Sequence, residues 1–409
     1  MKYDSAYFDQ PIDRCRTACE KWDGLKEREE KELLPMWVAD MDLRCAQEIV
    51  DALTIRAAHP VYGYTYQRDS AVNAMRSFFK RRYNVELVKD EQAILPCVVA
   101  GMKAAVLSLT EPGDTVLIQP PVYGPFFTAV TANGRKAEQN RLVRDADGRY
   151  QINFIQLEAQ LQTGVKLLMI CSPHNPVSRV WSRQELERMY SLCKRYGTIL
   201  LADEIHAGFV YKKGAFTSAL LLDDAKDAKI AVLTSATKTF NIAGLRQAVL
   251  LTRNQAIRET ITKFMDRVGA SGVNIFALEA TEAAYRGGDA WLDALLIYLD
   301  AARALVKREL HQRLPKAILT PIEATYMGWI DLRAYGLSGN ELMEATYREG
   351  VALMDGRFFD REEGDGFLRI NFACPHSQTR KALELLERAV KGAAHDKTED
   401  AHGTDLSVD

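Results

Sequence analysis

The sequence has no excess charge of either sign. It carries 53 lysines and arginines against 55 aspartates and glutamates, a formal net charge of −2. That balance leaves no electrostatic footprint for nucleic acid or an anionic membrane surface. No run is long and apolar enough for a membrane-spanning helix, which needs about 20 mostly apolar residues. The most apolar long window, Ala93 to Leu109, is interrupted by Pro96, Gly101 and Lys103. The N-terminal MKYDSAYFDQ lacks the apolar core of a secretory leader. Cysteine is sparse and odd in number: the seven, at 15, 19, 45, 97, 171, 193 and 374, include no C-x-x-C pair. They read as reduced thiols, and nothing near Cys15 and Cys19 completes a metal set. A cytoplasmic protein without a metal site is expected. Also missing are G-x-G-x-x-G, Walker A, G-x-S-x-G and H-E-x-x-H. Their absence argues against a Rossmann nicotinamide site, P-loop hydrolysis and α/β-hydrolase chemistry.

What is present is an ordinary globular composition, 47% hydrophobic and 26% charged, which excludes disorder along most of the chain. The first thirty or so residues are polar and predict an arm or a short helix. An apolar run closed by acids, LLPMWVADMD (33–42), follows. Helices are predicted over 46–58 and over 70–83, the second behind a capping Ser70. Between about 90 and 250, short apolar runs alternate with amphipathic helices. The predicted strands are 92–96, 114–120, 135–143, 166–172, 198–204, 230–236 and 247–252. Their runs are continuous, which argues for a mostly parallel sheet buried on both faces. The helix 182–197 has a Ser182/Glu185 capping box and stops at Gly197. Residues 291–314 keep helical spacing over six turns, enough to link two lobes. Strands at 325–332 and 366–373 with helices at 340–350 and 378–392 predict a smaller α+β lobe. The expected division is 1–48, arm and part of the small domain; 49–290, large domain; 291–393, small domain; 394–409, disordered tail.

Four segments carry possible chemistry. In SATKTFNIAGLR (235–246), Lys238 follows a strand, where α/β sheets place ligands. It suits a phosphate or an imine, or is a solvated loop lysine. In LLADEIHAGFVY (200–211), Asp203 ends an apolar strand, an expensive place for a carboxylate unless it meets a cation. Alone it fits a helix cap or a metal ligand equally. In ICSPHNPVSRVW (170–181), two prolines flank Asn175 in a rigid turn. In GFLRINFACP (366–375), Arg369 alternates against Leu368 and Ile370, toward a ligand or toward solvent. Together Asn175, Asp203, Lys238 and Arg369 fit one chemistry. A lysine condenses with an aldehyde cofactor, an aspartate keeps a ring nitrogen protonated, and an arginine clamps an α-carboxylate. That is pyridoxal phosphate (PLP) catalysis on amino acids.

At this point the sequence resembles the fold-type I PLP enzymes of the aspartate aminotransferase superfamily. It is most similar to the branch of cystathionine β-lyases and cysteine-S-conjugate C–S lyases. The carrying motifs are LPMWVADMD (34–42), VYGYT (61–65), PPVYGPF (120–126), CSPHNPVSRVW (171–181), ADEIH (202–206), SATKTFNIAGL (235–245), WLDALLIYL (291–299) and GFLRINFACP (366–375). The resemblance spans about residues 30 to 390. It implies an aspartate aminotransferase-like α/β fold: a large domain with a seven-stranded, mostly parallel sheet, plus a smaller α+β domain. It implies Lys238 as the cofactor-bound lysine and acid–base, and Asp203 at the ring nitrogen. Asn175 and His206 would meet the ring 3′-oxygen and Tyr123 the ring face. Ser235, with the amides near Val98 and Val99, would hold the phosphate. Tyr64 would reach the phosphate of the other subunit in a homodimer with shared sites. Arg369, with Ala39 and Asn175, would bind the amino-acid substrate. Three positions depart from the family pattern. Ser178 stands where glycine is usual, which is strained if φ is positive. Cys97 replaces a Gly or Ser, and Arg246 fills a phosphate-binding slot of general aminotransferases that many C–S lyases leave open. The implied reaction is α,β-elimination of cystathionine or a related conjugate. Aminotransfer on the same residues is the alternative, and a non-catalytic PLP-binding regulator is a third reading.

Overall fold

The computed structural model describes residues 3–403. Seven strands, all but the polar edge strand β3 apolar, form its main sheet: β1 (Gln92–Leu95), β2 (Thr115–Ile118), β3 (Lys136–Gln139), β4 (Leu167–Cys171), β5 (Ile199–Asp203), β6 (Ile230–Thr234) and β7 (Ala248–Leu251). In space they run β1-β7-β6-β5-β4-β2-β3. Only β7 is antiparallel to its neighbours; the pairs from β6 through to β3 are parallel. All seven lie inside the runs predicted from sequence. The continuous apolar patterns have a direct cause. β4 sends Leu168 and Ile170 into one core and Leu167, Met169 and Cys171 into another, so both faces are covered.

One strand is shorter than expected. The regular strand ends at Gln139, although the Asn140 and Leu142 amides still donate to the Ile118 and Pro120 carbonyls, both at 2.9 Å; the buried Asn140 side chain accepts from Gln119 Nε2 at 2.9 Å. Val143–Arg144 instead forms a small hairpin with Tyr150–Gln151.

The helix Arg183–Tyr196 shows its capping box, Ser182 with Glu185, and ends on Gly197 at φ 74°. Ser70 is not a cap. It lies inside the helix Asp69–Tyr83, which follows Arg68 without a side-chain cap. The long helix spans Asp289–Arg313. Beyond it, β8 (Ile318–Leu319), β9 (Met327–Asp331), β10 (Met354–Asp355) and β11 (Phe367–Asn371) form an antiparallel sheet ordered β8-β9-β11-β10. The N-terminal segment joins this region: Leu34–Pro35 pairs in parallel with Val351–Ala352. The final helix, predicted over 378–392, runs from His376 to Gly403 and takes in most of the expected disordered tail. The rest of that tail, 404–409, lies outside the described residues. Among the described residues no helix is long and apolar enough to cross a membrane.

Candidate active site

The register of the parallel strands sets out one wall of the site. Cys171 on β4 faces Asp203 on β5, and Asp203 faces Leu233 on β6. The carboxyl ends of three neighbouring strands are therefore level, the usual place for a ligand in such sheets. Past β4 the chain turns through Asn175, past β5 it reaches His206, and past β6 it enters the short helix Ala236–Thr239 that carries Lys238. Tyr123 lies past the end of β2, the other side of the topological switch between β2 and β4.

Asp203 is buried, and its Oδ1 accepts from the Ile205 amide at 3.0 Å. Burial pushes its pKa up to about 7, against the opposing pull of the Ile205 amide and Lys238. A carboxylate so placed is short of a cation. His206 is buried too, its Nδ1 has no partner, and burial drives its pKa down to about 3, so the ring is neutral. Lys238 is half-buried. Burial first, and Arg369 and Lys21 after it, pull its pKa down to about 8, while Asp40 and Asp203 oppose. Its Nζ donates to the Ala39 carbonyl at 2.6 Å. Arg369 is fully buried on β11, and its predicted solvent-facing alternative is excluded. It donates to Asn175 Oδ1 at 3.2 Å and to the Trp37 carbonyl, stacks over Phe359 at 4.9 Å, and leaves Nε without a partner. Burial lowers its pKa to about 10, so it too is short of an opposite charge.

Tyr123 completes this group. Its ring centroid is 5.9 Å from that of Phe358, and burial raises its hydroxyl pKa, with Arg369, Asp203 and Cys97 close enough to act on it. Val98 and Val99 open the helix Val98–Leu109, whose cap is Cys97: its sulfur accepts from the Ala100 amide at 3.4 Å. The helix packs closely on the sheet at Gly101: a Cβ there would lie 2.7 Å from the Leu95 side chain and 2.8 Å from that of Leu233, so both leucines would have to move. Ser235 caps the Lys238 turn, and its hydroxyl donates to the Gln247 carbonyl at 2.5 Å. Arg246, the neighbour of Gln247, is exposed and holds a φ of 51°. Tyr64 is apart from the cluster, wholly exposed in the single chain.

A second wall is formed by the segment of the LPMWVADMD motif, where sequence pointed to Ala39 but not to the side chains that hold the segment in place. Residues 37–43 form a strap across the site, held by side chains from far along the chain. Asn371 donates to the Val38 and Asp40 carbonyls, both at 2.6 Å. Asn241 bonds Met41 and Leu43. Tyr326 Oη donates to the Ala39 carbonyl at 3.0 Å, so Ala39 receives both Lys238 and Tyr326. Lys21, fully buried, pairs with Asp42 at 2.7 Å, and Arg14 pairs with Asp40 and Asp42. Asn371 lies in a motif the resemblance already used; Tyr326 and Lys21 carry no local signal at all.

The sequence profile of the aminotransferase class I and II family matches residues 38–386. The chain belongs to that family. It is 35% identical over 388 residues to cystathionine beta-lyase PatB of Bacillus subtilis, covering 94% of this chain and 99% of that one. It is 32% identical to protein MalY of Escherichia coli, covering 94% and 98%. Among solved structures, cystalysin from Treponema denticola, which contains pyridoxal 5′-phosphate, superposes with a TM-score of 0.91. The two are 31% identical, with 96% of this chain and all of that one covered. A PLP-bound C–S lyase from Staphylococcus hominis gives 0.86 at 29% identity, covering 94% and 98%. The seven-stranded sheet and its strand ends are thus the aminotransferase fold. The site's own residues also fit the cofactor that these structures hold. A free amine, a buried carboxylate short of a cation and an unpartnered neutral histidine converge at the strand ends.

Proposed function

We propose that this chain is a PLP-dependent C–S β-lyase that converts L-cystathionine or a related cysteine S-conjugate to a thiol, pyruvate and ammonia. One observation carries the reading: a lysine amine, a buried carboxylate and an unpartnered histidine follow the level ends of neighbouring strands in a chain 35% identical to a cystathionine beta-lyase. PLP, when bound, supplies an aldehyde for imine chemistry and a ring that withdraws electrons from the substrate's Cα. Asp203 would hold the ring nitrogen protonated, since a cation there would relieve the cost of its burial. Asn175 and His206 would meet the ring 3′-oxygen, Tyr123 would cover a ring face, and Ser235, Arg246 and the amides of Val98 and Val99 would hold the phosphate. Arg369 binds the substrate's α-carboxylate, the charge its buried guanidinium lacks. Lys238 takes the Cα proton; with a pKa near 8 a useful fraction is free amine at neutral pH. The C–S bond then breaks with its electron pair leaving on sulfur, which takes up a proton to become the thiol, and one water hydrolyses the remaining three-carbon unit to pyruvate and ammonia.

The exposed Tyr64 sits in a loop with Val61, Tyr62 and Tyr66, all more than half exposed. We read this patch as covered by a second copy, with Tyr64 reaching that copy's cofactor phosphate. The chain's seven free cysteines support a cytoplasmic location.

Aminotransfer is the second reading, favoured by Arg246 in a slot that general aminotransferases use. One experiment separates the two. Purified holoenzyme is given L-cystathionine without a keto acid, and cofactor absorbance and pyruvate are followed together. Sustained pyruvate with the absorbance band retained supports the lyase. A single stoichiometric bleach that a keto acid restores identifies an aminotransferase.

A further inference from the structure

A second cleft, of about 1240 Å3, shares no lining residue with the Lys238 site. It lies between the outer face of the helix Asp289–Arg313, the segment 317–323 and the loop 211–217. Its size is ample for a small organic ligand.

The lining is basic, although the chain as a whole is not. Arg149, Arg183, Lys212, Arg303 and Lys307 face the cleft, against the carboxylates of Asp147 and Glu323. Glu323 is already committed: it takes Arg149 at 2.9 Å, Arg179 at 2.7 Å and the Val180 amide at 2.9 Å. Arg183 pairs with Glu187 at 2.7 Å and Arg303 with Asp300 at 2.5 Å. Lys212 and Lys307 are exposed and have no carboxylate partner among the described residues. A second observation is independent of charge. Thr320 also lines the cleft, is 1% exposed, and its hydroxyl has no hydrogen-bond partner. A buried hydroxyl without a partner is uncommon and asks for an acceptor. Between these polar groups the lining is apolar, with Leu310, Leu319 and Ile322.

We propose that this cleft binds an organic anion with two or more negative charges on a partly apolar body: a di- or tricarboxylate or a phosphate monoester. Two unpaired ammonium groups match separated anionic oxygens. The Thr320 hydroxyl donates to one of those oxygens. The apolar lining favours a carbon skeleton over an inorganic ion. The site does not depend on the lyase reading, because none of its residues belongs to that machinery.

The test is isothermal titration calorimetry on holoenzyme with citrate and with phenyl phosphate, in sodium chloride of fixed ionic strength. The expected result is saturable binding of at least one probe, and which probe binds tells carboxylate from phosphate. The double variant K212Q/K307Q changes only exposed side chains; it should keep its melting temperature and lyase rate and bind the probe at least about tenfold more weakly. Thr320→Val, nearly isosteric, should weaken binding about threefold. Failure of both probes to bind, or affinity unchanged in K212Q/K307Q, overturns the proposal, whatever reaction Lys238 performs.

Discussion

The two walls of the active site are built by different means. On the sheet wall, Asn175, Asp203 and Lys238 sit just past strand ends, and the ladder of β4, β5 and β6 fixes their spacing. On the strap wall, residues 37–43 have almost no ladder of their own and are placed by the side chains of Lys21, Asn241, Tyr326, Arg369 and Asn371. A wall held by backbone tolerates loss of one side chain; a wall held by side chains does not. The sheet wall therefore sets which chemistry is possible, and the strap wall sets where the free lysine amine waits.

The largest expected effect is on the sheet wall, and it concerns charge, not position. Folding raises the Asp203 pKa from 3.8 to about 7 in the cofactor-free protein. Between those values the folded chain holds a proton that the unfolded chain has lost. The associated stability is full below pH 4 and disappears as pH rises through 7, up to about 4 kcal/mol for a shift of this size. Glu204, buried beside it and raised to about 8, contributes in the same direction. Urea midpoints of the apoprotein should fall from pH 5 to 7.5. Asp203→Asn should remove a large part of that fall and Glu204 should account for the rest. Adding PLP should flatten the profile as Asp203→Asn does; a profile unchanged by PLP would show that the carboxylate does not face the ring nitrogen.

On the strap wall, Lys21→Met strips a buried ammonium from Asp42. Burial on its own would raise the Asp42 carboxyl, but Lys21, Trp22 and Arg14 together hold it below the usual range. Arg14 and Trp22 remain in the variant, so the cost is about 3 kcal/mol, the lower end for breaking a buried ion pair. The contrast between the walls sharpens with hydrogen exchange: amides of 37–43 should exchange faster while those of β4 to β6 stay protected. Uniform acceleration across both would mean the walls are one cooperative unit.

These two cases also explain what the sequence reveals. Asp203 could be singled out because an acid closing LLAD breaks an apolar run, and strand periodicity then says where it lies. Lys238 followed from the next strand by the same logic. Lys21 had no such marker. It is one lysine in a polar stretch, and its importance comes from folding against Asp42, which burial and pairing create together. The capping box of Ser182 was legible because it is local, whereas the extent of the last helix was not, since its polar composition resembles a tail. Tyr326 stood in a predicted strand, where an aromatic residue needs no further explanation.

Tyr326 tests how closely the strap wall governs the chemistry. Its hydroxyl shares the Ala39 carbonyl with Lys238, and its ring packs edge-on against Phe209 at 4.8 Å. Tyr326→Phe keeps the ring and removes one hydrogen bond of about 1 kcal/mol. If Tyr326 positions the waiting amine, kcat falls about five- to tenfold, KM for cystathionine stays near its original value, and the pH–rate profile shifts because Lys238 faces a changed acceptor. Equal losses in kcat and in thermal stability with an unshifted profile would reduce Tyr326 to a packing residue.

An effect smaller than that of Lys21→Met is expected where the walls meet. Ser178 follows the sheet-wall turn and holds φ at 55°, a conformation that disfavours a side chain. Its hydroxyl bonds Thr325 Oγ1 and the Met327 carbonyl, both at 2.8 Å, and its own carbonyl accepts the amides of Glu323 and Ala324 at 3.1 Å. The serine thus tethers the turn to the segment that carries Tyr326. Ser178→Gly relieves about 1 kcal/mol of backbone strain, loses hydroxyl bonds of about 1 kcal/mol each, and adds freedom to the unfolded chain. With two such bonds lost, the losses exceed the gain, leaving the variant about 1–2 kcal/mol less stable than the parent. Ser178→Ala keeps the strain and loses the same bonds, so it should melt below Ser178→Gly. The tether itself is read from Ser178→Ala against the parent: equal melting temperatures would mean that the tether is negligible and the left-handed turn is held by the backbone alone. The two walls would then be joined less firmly here than the hydroxyl geometry indicates, and the Tyr326→Phe effect should be no larger in either Ser178 variant than in the parent.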